Sequence, residues 1–216
     1  MTNHEHILIL LDGSARREPW ISDIANQAYI IAADGGIRHA DLLDVRPDLW
    51  IGDFDSSSVD MHETYRDIPK SEYETDKIKS DGELAIEKAL SFNPAQITLL
   101  GALGGERTDH SLFNILGALR FAHQYKSCKF VLVGDRQTAM PLVPGKRLEI
   151  SPRHGSILSI VPFSHLDGLT ITGVRWPLNS EQVELGSTHT LSNVIVSHGN
   201  VELAGGLAIA IVQIKD

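Results

Sequence analysis

The sequence predicts a chain of the α/β class: a parallel-sheet domain over residues 1–143, then an antiparallel sandwich or small barrel over residues 144–216. Three observations predict it. Up to about residue 142, a short β-rich apolar run, a Gly/Asp loop and an amphipathic helical stretch recur in that order, the grammar of crossover connections in a parallel sheet. After Pro144 the runs are β-type, separated by turn residues, with no helical periodicity. The change falls at "PLVPGKR", with no long linker.

Taken in order, "HILILLDGS" leads to Asp12-Gly13, "AYIIAADGG" to Asp34-Gly35-Gly36, and "DLWIGDFDS" to Asp53 and Asp55. "QITLLGALGG" ends in a glycine cluster at Gly105, and "KFVLVGD" at Gly134-Asp135. Helical stretches are expected at Asp81–Ser91 and Asp109–Gln124, the second with Leu112, Ile115, Leu116 and Leu119 at helical spacing. In a parallel sheet the ligand crevice lies beyond the carboxyl ends of the strands, and here those ends carry the acidic and glycine residues. The second half offers "KRLEIS", "SILSIVPF", "LTITGV", "LSNVIVS", "NVELA" and "LAIAIVQI".

With 216 residues and 42% apolar content the chain can bury a real core. A formal charge of −9 and no Lys/Arg block argue against general nucleic-acid or anionic-membrane binding; a protein of this sign that handles phosphates needs cations. Cys128 is the single cysteine, which excludes an intrachain disulfide or thiolate cluster and reads as a buried thiol in a reducing compartment. The apolar run Ile7–Leu11 ends at Asp12, short of a signal-peptide core, and no stretch reaches membrane-spanning length. The expectation is a cytoplasmic protein. The scattered histidines, His4 and His6 among them, show no metal-ligand spacing and read as surface residues.

Three stretches carry chemistry. In "WIGDFDSSS" an extended chain projects Asp53 and Asp55 to one side, where both carboxylates can face a hard cation, and Gly52 admits a ligand to the backbone. An acidic turn needs the same residue types, so the stretch alone leaves both readings open. In "KIKSDGELAIEKAL", Ser80 with Glu83 forms a capping box, and Asp81 in the first turn suits the helix dipole; whether Asp81 also faces the crevice is open. In "LLGALGGERTDHSLFN", Gly101, Gly104 and Gly105 allow close approach to a phosphate chain, and Arg107 offers a planar donor fork. Asp109 is a helix cap or a metal partner. There is no GxxxxGK[ST] loop and no intact GxGxxG, so neither a P-loop nor a dinucleotide-binding assignment is supported.

These stretches resemble the thiamine pyrophosphokinase family over essentially the whole chain. The resemblance rests on "DGG" (34–36), "PDLWIGDFDS" (47–56), "SDGELAIEKAL", "GALGG" with "RTDHSLFN" (107–114), "GVRWPL" (173–178) and "TLSN" (190–193), in that order and spacing. It implies a Rossmann-like N-terminal domain and a C-terminal β-sandwich that binds thiamine, in a homodimer with active sites at the subunit interface. It also implies a magnesium-dependent reaction in which ATP and thiamine give AMP and thiamine diphosphate. On that reading Asp53, Asp55 and Asp81 hold Mg²⁺, Asp109 is a further ligand or proton acceptor, and Arg107 steadies the leaving α-phosphate. Asp34 approaches the metal or the nucleotide, and Gly35, Ser80, Gly104 and Gly105 line the nucleotide. Trp176 is an aromatic platform for the thiazolium cation or a sandwich-core residue, and Thr190, Ser192 and Asn193 bond the aminopyrimidine or cap strands.

Two residues depart from the family pattern: Ile78 stands where an aspartate is usual, and Glu106 separates the glycine pair from Arg107. Rival readings are a pyrophosphokinase for another small alcohol such as a hydroxymethyl pterin, a Mg·ATP-sensing module without turnover, and a Mg²⁺-dependent phosphohydrolase.

Overall fold

The structure, a computed structural model, describes residues 4–54, 59–73, 78–150 and 155–213. The chain forms two compact units, one of residues 1–114 and 127–135, the other of 115–126 and 136–216.

The first unit is built on strands β1 (His6–Leu10), β2 (Tyr29–Ala33), β3 (Leu49–Gly52), β4 (Lys70–Glu72), β5 (Gln96–Leu100) and β6 (Lys129–Val133). All neighbouring pairs are parallel, in the order β6-β5-β1-β2-β3-β4. The order reverses at β1, whose neighbours are β2 and β5. The loops after β1 and β5 therefore flank the switch point where such sheets open a crevice. The apolar runs are continuous because these strands are covered on both faces: Ile7 to Leu10, Ile30 to Ala33 and Ile97 to Leu100 are all buried. β4, "KSE", is an exposed polar edge strand with no apolar signature, and sequence periodicity did not find it.

Between the strands lie α1 (Pro19–Ala25), α2 (His39–Leu43), α3 (Val59–Thr64), α4 (Asp81–Leu90) and α5 (Thr108–Gln124). A 3-10 turn, Asp34–Arg38, joins β2 to α2. α4 begins where its capping residue dictates: Ser80 is extended and its hydroxyl accepts from the Glu83 N–H at 3.3 Å. Ala85, Ile86, Ala89 and Leu90 form its buried stripe, and the helix packs on β1, β2 and β3.

The second unit contains β7 (Gln137–Leu142), β8 (Arg147–Ile150), β9 (Ile157–Pro162), β10 (Leu166–Ile171), β11 (Leu178–Val183), β12 (Asn193–Val194), β13 (Gly199–Glu202) and β14 (Ala208–Gln213). They form two antiparallel arrays, β12-β9-β14-β7 and β11-β10-β13-β8. Leu158, Ile160 and Ala210 from the first share one core with Leu169, Ile171 and Val201 from the second, which makes the unit a sandwich. The alternating burial of β9 marks strands covered on one face only. β7, which the sequence pattern kept with the first half, pairs antiparallel along its whole length with β14 and belongs to the second unit.

Candidate active site

Asp34, Asp53 and Asp81 arrive from three different elements and converge. Asp34 follows β2, Asp53 follows β3, and Asp81 opens α4. Each offers a carboxylate oxygen, and the three oxygens lie within 4.8 Å of one another, all partly buried. Like charges this close repel, and a divalent cation relieves the repulsion. The donor set fits a hard cation: carboxylate oxygens only, at separations close to the span of about 4.2 Å across an ion with Mg–O distances of about 2.1 Å. The sequence had paired Asp53 and Asp81 with Asp55; Asp55 lies outside the described residues. Asp34, expected to approach the metal or the nucleotide, is the third member of the group among the described residues.

Two non-glycine residues of this site hold left-handed backbone, Asp34 at φ 44° and Phe54 at φ 61°. Gly52 was expected to admit a ligand, but Asp34 occupies its open face. A Cβ at position 52 would come within 3.2 Å of the Asp34 Cα. Gly35 likewise faces the Asp12 carboxylate, whose Oδ1 would be 2.9 Å from an added Cβ, rather than open space for a phosphate.

The loop after β1 is held from the side by two residues that the sequence did not single out. Arg38 pairs with the Asp12 carboxylate at 2.7 Å and donates to the Gly13 carbonyl at 3.2 Å, and the His39 Nε2–H donates to the same carbonyl at 2.9 Å. His39 is buried, and burial lowers its pKa below the ordinary histidine value. It therefore stands as a neutral tether. No local spacing advertises this clasp, because its partners are 25 and 26 residues apart.

Beyond β5, Gly104 has positive φ with open space where a side chain would be, and Gly105 lies against the Gly13-Ser14 backbone. Arg107 and Asp109 close on each other as a two-pronged pair, Nε to Oδ1 at 2.9 Å and Nη2 to Oδ2 at 2.7 Å. Both are exposed. The Arg107 guanidinium holds the Asp109 carboxyl at a pKa of about 2, and Asp109 in turn raises that of Arg107. Asp109 is not one of the three clustered carboxylates. The two positions that depart from the family pattern, Ile78 and Glu106, are both exposed. His6, read from sequence as a surface residue, is half-buried in β1, with its ring nitrogen 2.9 Å from the Thr98 hydroxyl.

In the sandwich, Trp176 is 57% exposed and does not fill the core. Its backbone is clamped at both ends by Asn193, whose Oδ1 accepts from Trp176 N–H at 3.1 Å and whose Nδ2 donates to Trp176 O at 2.6 Å. Thr190 is buried, its hydroxyl donating to the Ile160 carbonyl at 2.6 Å. Both polar groups are thus committed inside the protein, because a buried donor left without an acceptor is costly. Ser192 has φ 60°, is exposed, and is tied through its N–H to the Ser159 hydroxyl at 3.0 Å.

Fold and site together define a protein with a parallel-sheet α/β unit, which gathers carboxylates at the carboxyl edge of its strands, and a β-sandwich unit. A family model described as thiamin pyrophosphokinase, catalytic domain, matches residues 22–132, and one described as thiamin pyrophosphokinase, vitamin B1 binding domain, matches residues 146–207. The chain belongs to the thiamin pyrophosphokinase family, whose members are diphosphotransferase enzymes. A curated thiamine pyrophosphokinase from Bacillus subtilis is 33% identical over 168 residues, which are 74% of this chain and 75% of that protein. The crystal structure of thiamine pyrophosphokinase from Bacillus subtilis superposes with a TM-score of 0.85 at 26% identity, covering 98% of this chain and 100% of that one. For the Geobacillus thermodenitrificans structure the TM-score is 0.80 at 25% identity, with 98% and 97% covered.

Proposed function

We propose that this chain transfers the diphosphoryl group of ATP to the hydroxyl of thiamine, giving thiamine diphosphate and AMP, with Mg²⁺ as the required cation. The observation that carries the reading is the convergence of Asp34, Asp53 and Asp81 at the carboxyl edge of the sheet, in a chain whose two halves match the two domains of one kinase family.

The thiamine hydroxyl oxygen forms a bond to the β-phosphorus, the bond from that phosphorus to the α,β-bridging oxygen breaks, and AMP leaves with the bridging oxygen. The alcohol is a poor nucleophile at neutral pH, and negative charge must be balanced on the transferring group. Asp34, Asp53 and Asp81 would hold Mg²⁺, which supplies charge neutralisation at the phosphate oxygens. Arg107 has a fork suited to two non-bridging oxygens of the leaving α-phosphate. As it turns to them it releases Asp109, whose carboxyl rises from about 2 toward the ordinary carboxylate range and becomes a better acceptor for the hydroxyl proton. Gly104 gives the phosphate chain a side-chain-free surface. In the sandwich the exposed Trp176 ring would bear the thiazolium, with Asn193 fixing the backbone that presents it, Thr190 tying its own loop to β9, and Ser192 available for polar contact.

A cytoplasmic location and a homodimeric assembly belong to the same proposal. Among the described residues no helix is long and apolar enough to cross a membrane, and Cys128 is buried as a free thiol. The deciding experiment incubates the protein with ATP, Mg²⁺ and thiamine and weighs the products. AMP with thiamine diphosphate is expected; ADP with thiamine monophosphate overturns diphosphoryl transfer, and product from a pterin alcohol but not from thiamine overturns the acceptor.

A further inference from the structure

We infer that Trp50 and Phe54 form a bracket that positions two of the clustered carboxylates, with Trp50 holding Asp34 and Phe54 holding Asp53 at cation-binding separation. The inference rests on the Mg²⁺ reading of that cluster and adds positioning residues to it.

Trp50 lies in β3, fully buried, and packing alone would account for an apolar ring there. Its indole N–H is not idle, however: it donates to the Asp34 carbonyl at 2.9 Å. The register Ala32 to Trp50 and Ala33 to Ile51 carries Asp34 alongside Gly52. That proximity needs the missing side chain, since a Cβ on Gly52 would come within 3.2 Å of the Asp34 Cα and 3.3 Å of its Cβ. Asp34 also sits at φ 44°, a conformation that a non-glycine residue keeps only where its surroundings hold it. The indole hydrogen bond is a direct hold on that residue's own peptide.

Asp53 is fixed by its neighbours on both sides. Gly52 ends β3, and Phe54, at φ 61°, turns its ring back onto Trp50 with centroids 4.9 Å apart and planes at 73°. Two further groups close this edge-to-face pair. The His62 ring lies 5.1 Å from that of Trp50 and 5.8 Å from that of Phe54. The Lys70 ammonium stands 4.8 Å over Trp50 and 5.3 Å over Phe54 and donates to His62 Nδ1 at 2.9 Å. One indole thereby holds the carbonyl of one acidic residue and the ring of the residue that follows the other. Asp81 is carried by a separate element, the capped start of α4. A cation bound between the three carboxylates would feel the loss of Trp50 through Asp34 and Asp53 together.

The test is Mn²⁺ binding by the purified full-length protein, followed by the electron paramagnetic resonance of the free ion, with Mg²⁺ as competitor. Wild type should bind Mn²⁺ and release it to Mg²⁺, and Asp53→Asn should lose it. Trp50→Phe keeps an aromatic ring and removes the N–H. It should bind about tenfold more weakly, equivalent to about 1.4 kcal/mol, while its KM for thiamine stays at the wild-type value. Phe54→Leu and Gly52→Ala should weaken Mn²⁺ binding in the same direction, and they keep the inference falsifiable if Trp50→Phe does not fold. Ile160→Val, in the sandwich core, should lower the thermal midpoint without changing Mn²⁺ affinity. Wild-type affinity in Trp50→Phe, Phe54→Leu and Gly52→Ala, with binding lost in Asp53→Asn, would reduce the bracket to ordinary packing. Undiminished binding in Asp53→Asn would instead overturn the cation reading itself, and the bracket with it.

Discussion

The loops after β3 and after β5 are drawn from the same alphabet of glycine and aspartate, and the fold uses them in opposite ways. After β3, Asp53 is half-buried and flanked by a ring packed on a buried indole, so its carboxylate has little freedom. After β5, Arg107 and Asp109 stand in solvent and satisfy each other. The first arrangement is preorganised, and electrostatic stabilisation is strongest when charges need not move during the reaction. On the proposed reaction the second would serve as a reserve: an exposed pair costs little to open, and opening it would deliver a guanidinium and a carboxylate at once.

The sharpest break of this contrast is Asp53→Asn, which should lower kcat by about 10³-fold or more while leaving the thermal midpoint near wild type; a collapse of the midpoint would make Asp53 a structural turn residue. Arg107→Ala should cost about 10²-fold in kcat/KM for ATP with only a small loss of stability, because the pair it breaks is exposed. Smaller, and more diagnostic of the reserve, is the titration of Asp109. Its folded pKa is depressed, so the stabilisation from the pair is present above the unfolded carboxylate value and is lost as pH falls toward about 2. In Arg107→Ala the Asp109 carboxyl should titrate near 4, seen by carboxyl NMR; a midpoint still near 2 would mean that something other than Arg107 holds it down. In the sandwich, Thr190→Val should remove the bond to the Ile160 carbonyl for about 1 kcal/mol, a midpoint shift of a few degrees, whereas Ser192→Ala should leave stability unchanged.

Much of the first unit could be read along the chain because its strands are buried on both faces and appear as uninterrupted apolar runs. β4 and β11 could not, since "KSE" and "LNSEQV" are largely exposed and carry no such run. The capping box was legible for a different reason: Ser80 and Glu83 interact across three residues, a distance that sequence spacing measures directly. Asp34 was harder to place. Its "DGG" turn is ordinary in sequence, and it joins the carboxylate group only because β2 and β3 are neighbours in the sheet. Thr190 and Asn193 were legible as important polar residues, but their commitment to Ile160 and Trp176 depends on strands brought together from 30 and 17 residues away.

By itself, then, the sequence determined the class of each half, the start of α4 and the family, because burial periodicity, capping and motif order are local or linear properties. Tertiary structure decided which three carboxylates among the described residues face one another, that Asp34 lies against Gly52, that Arg107 rests on Asp109, and that Trp176 lies outside the core. The physical reason is that charge clustering and side-chain commitment depend on through-space distances of a few ångströms, and parallel-strand adjacency sets those distances independently of separation along the chain.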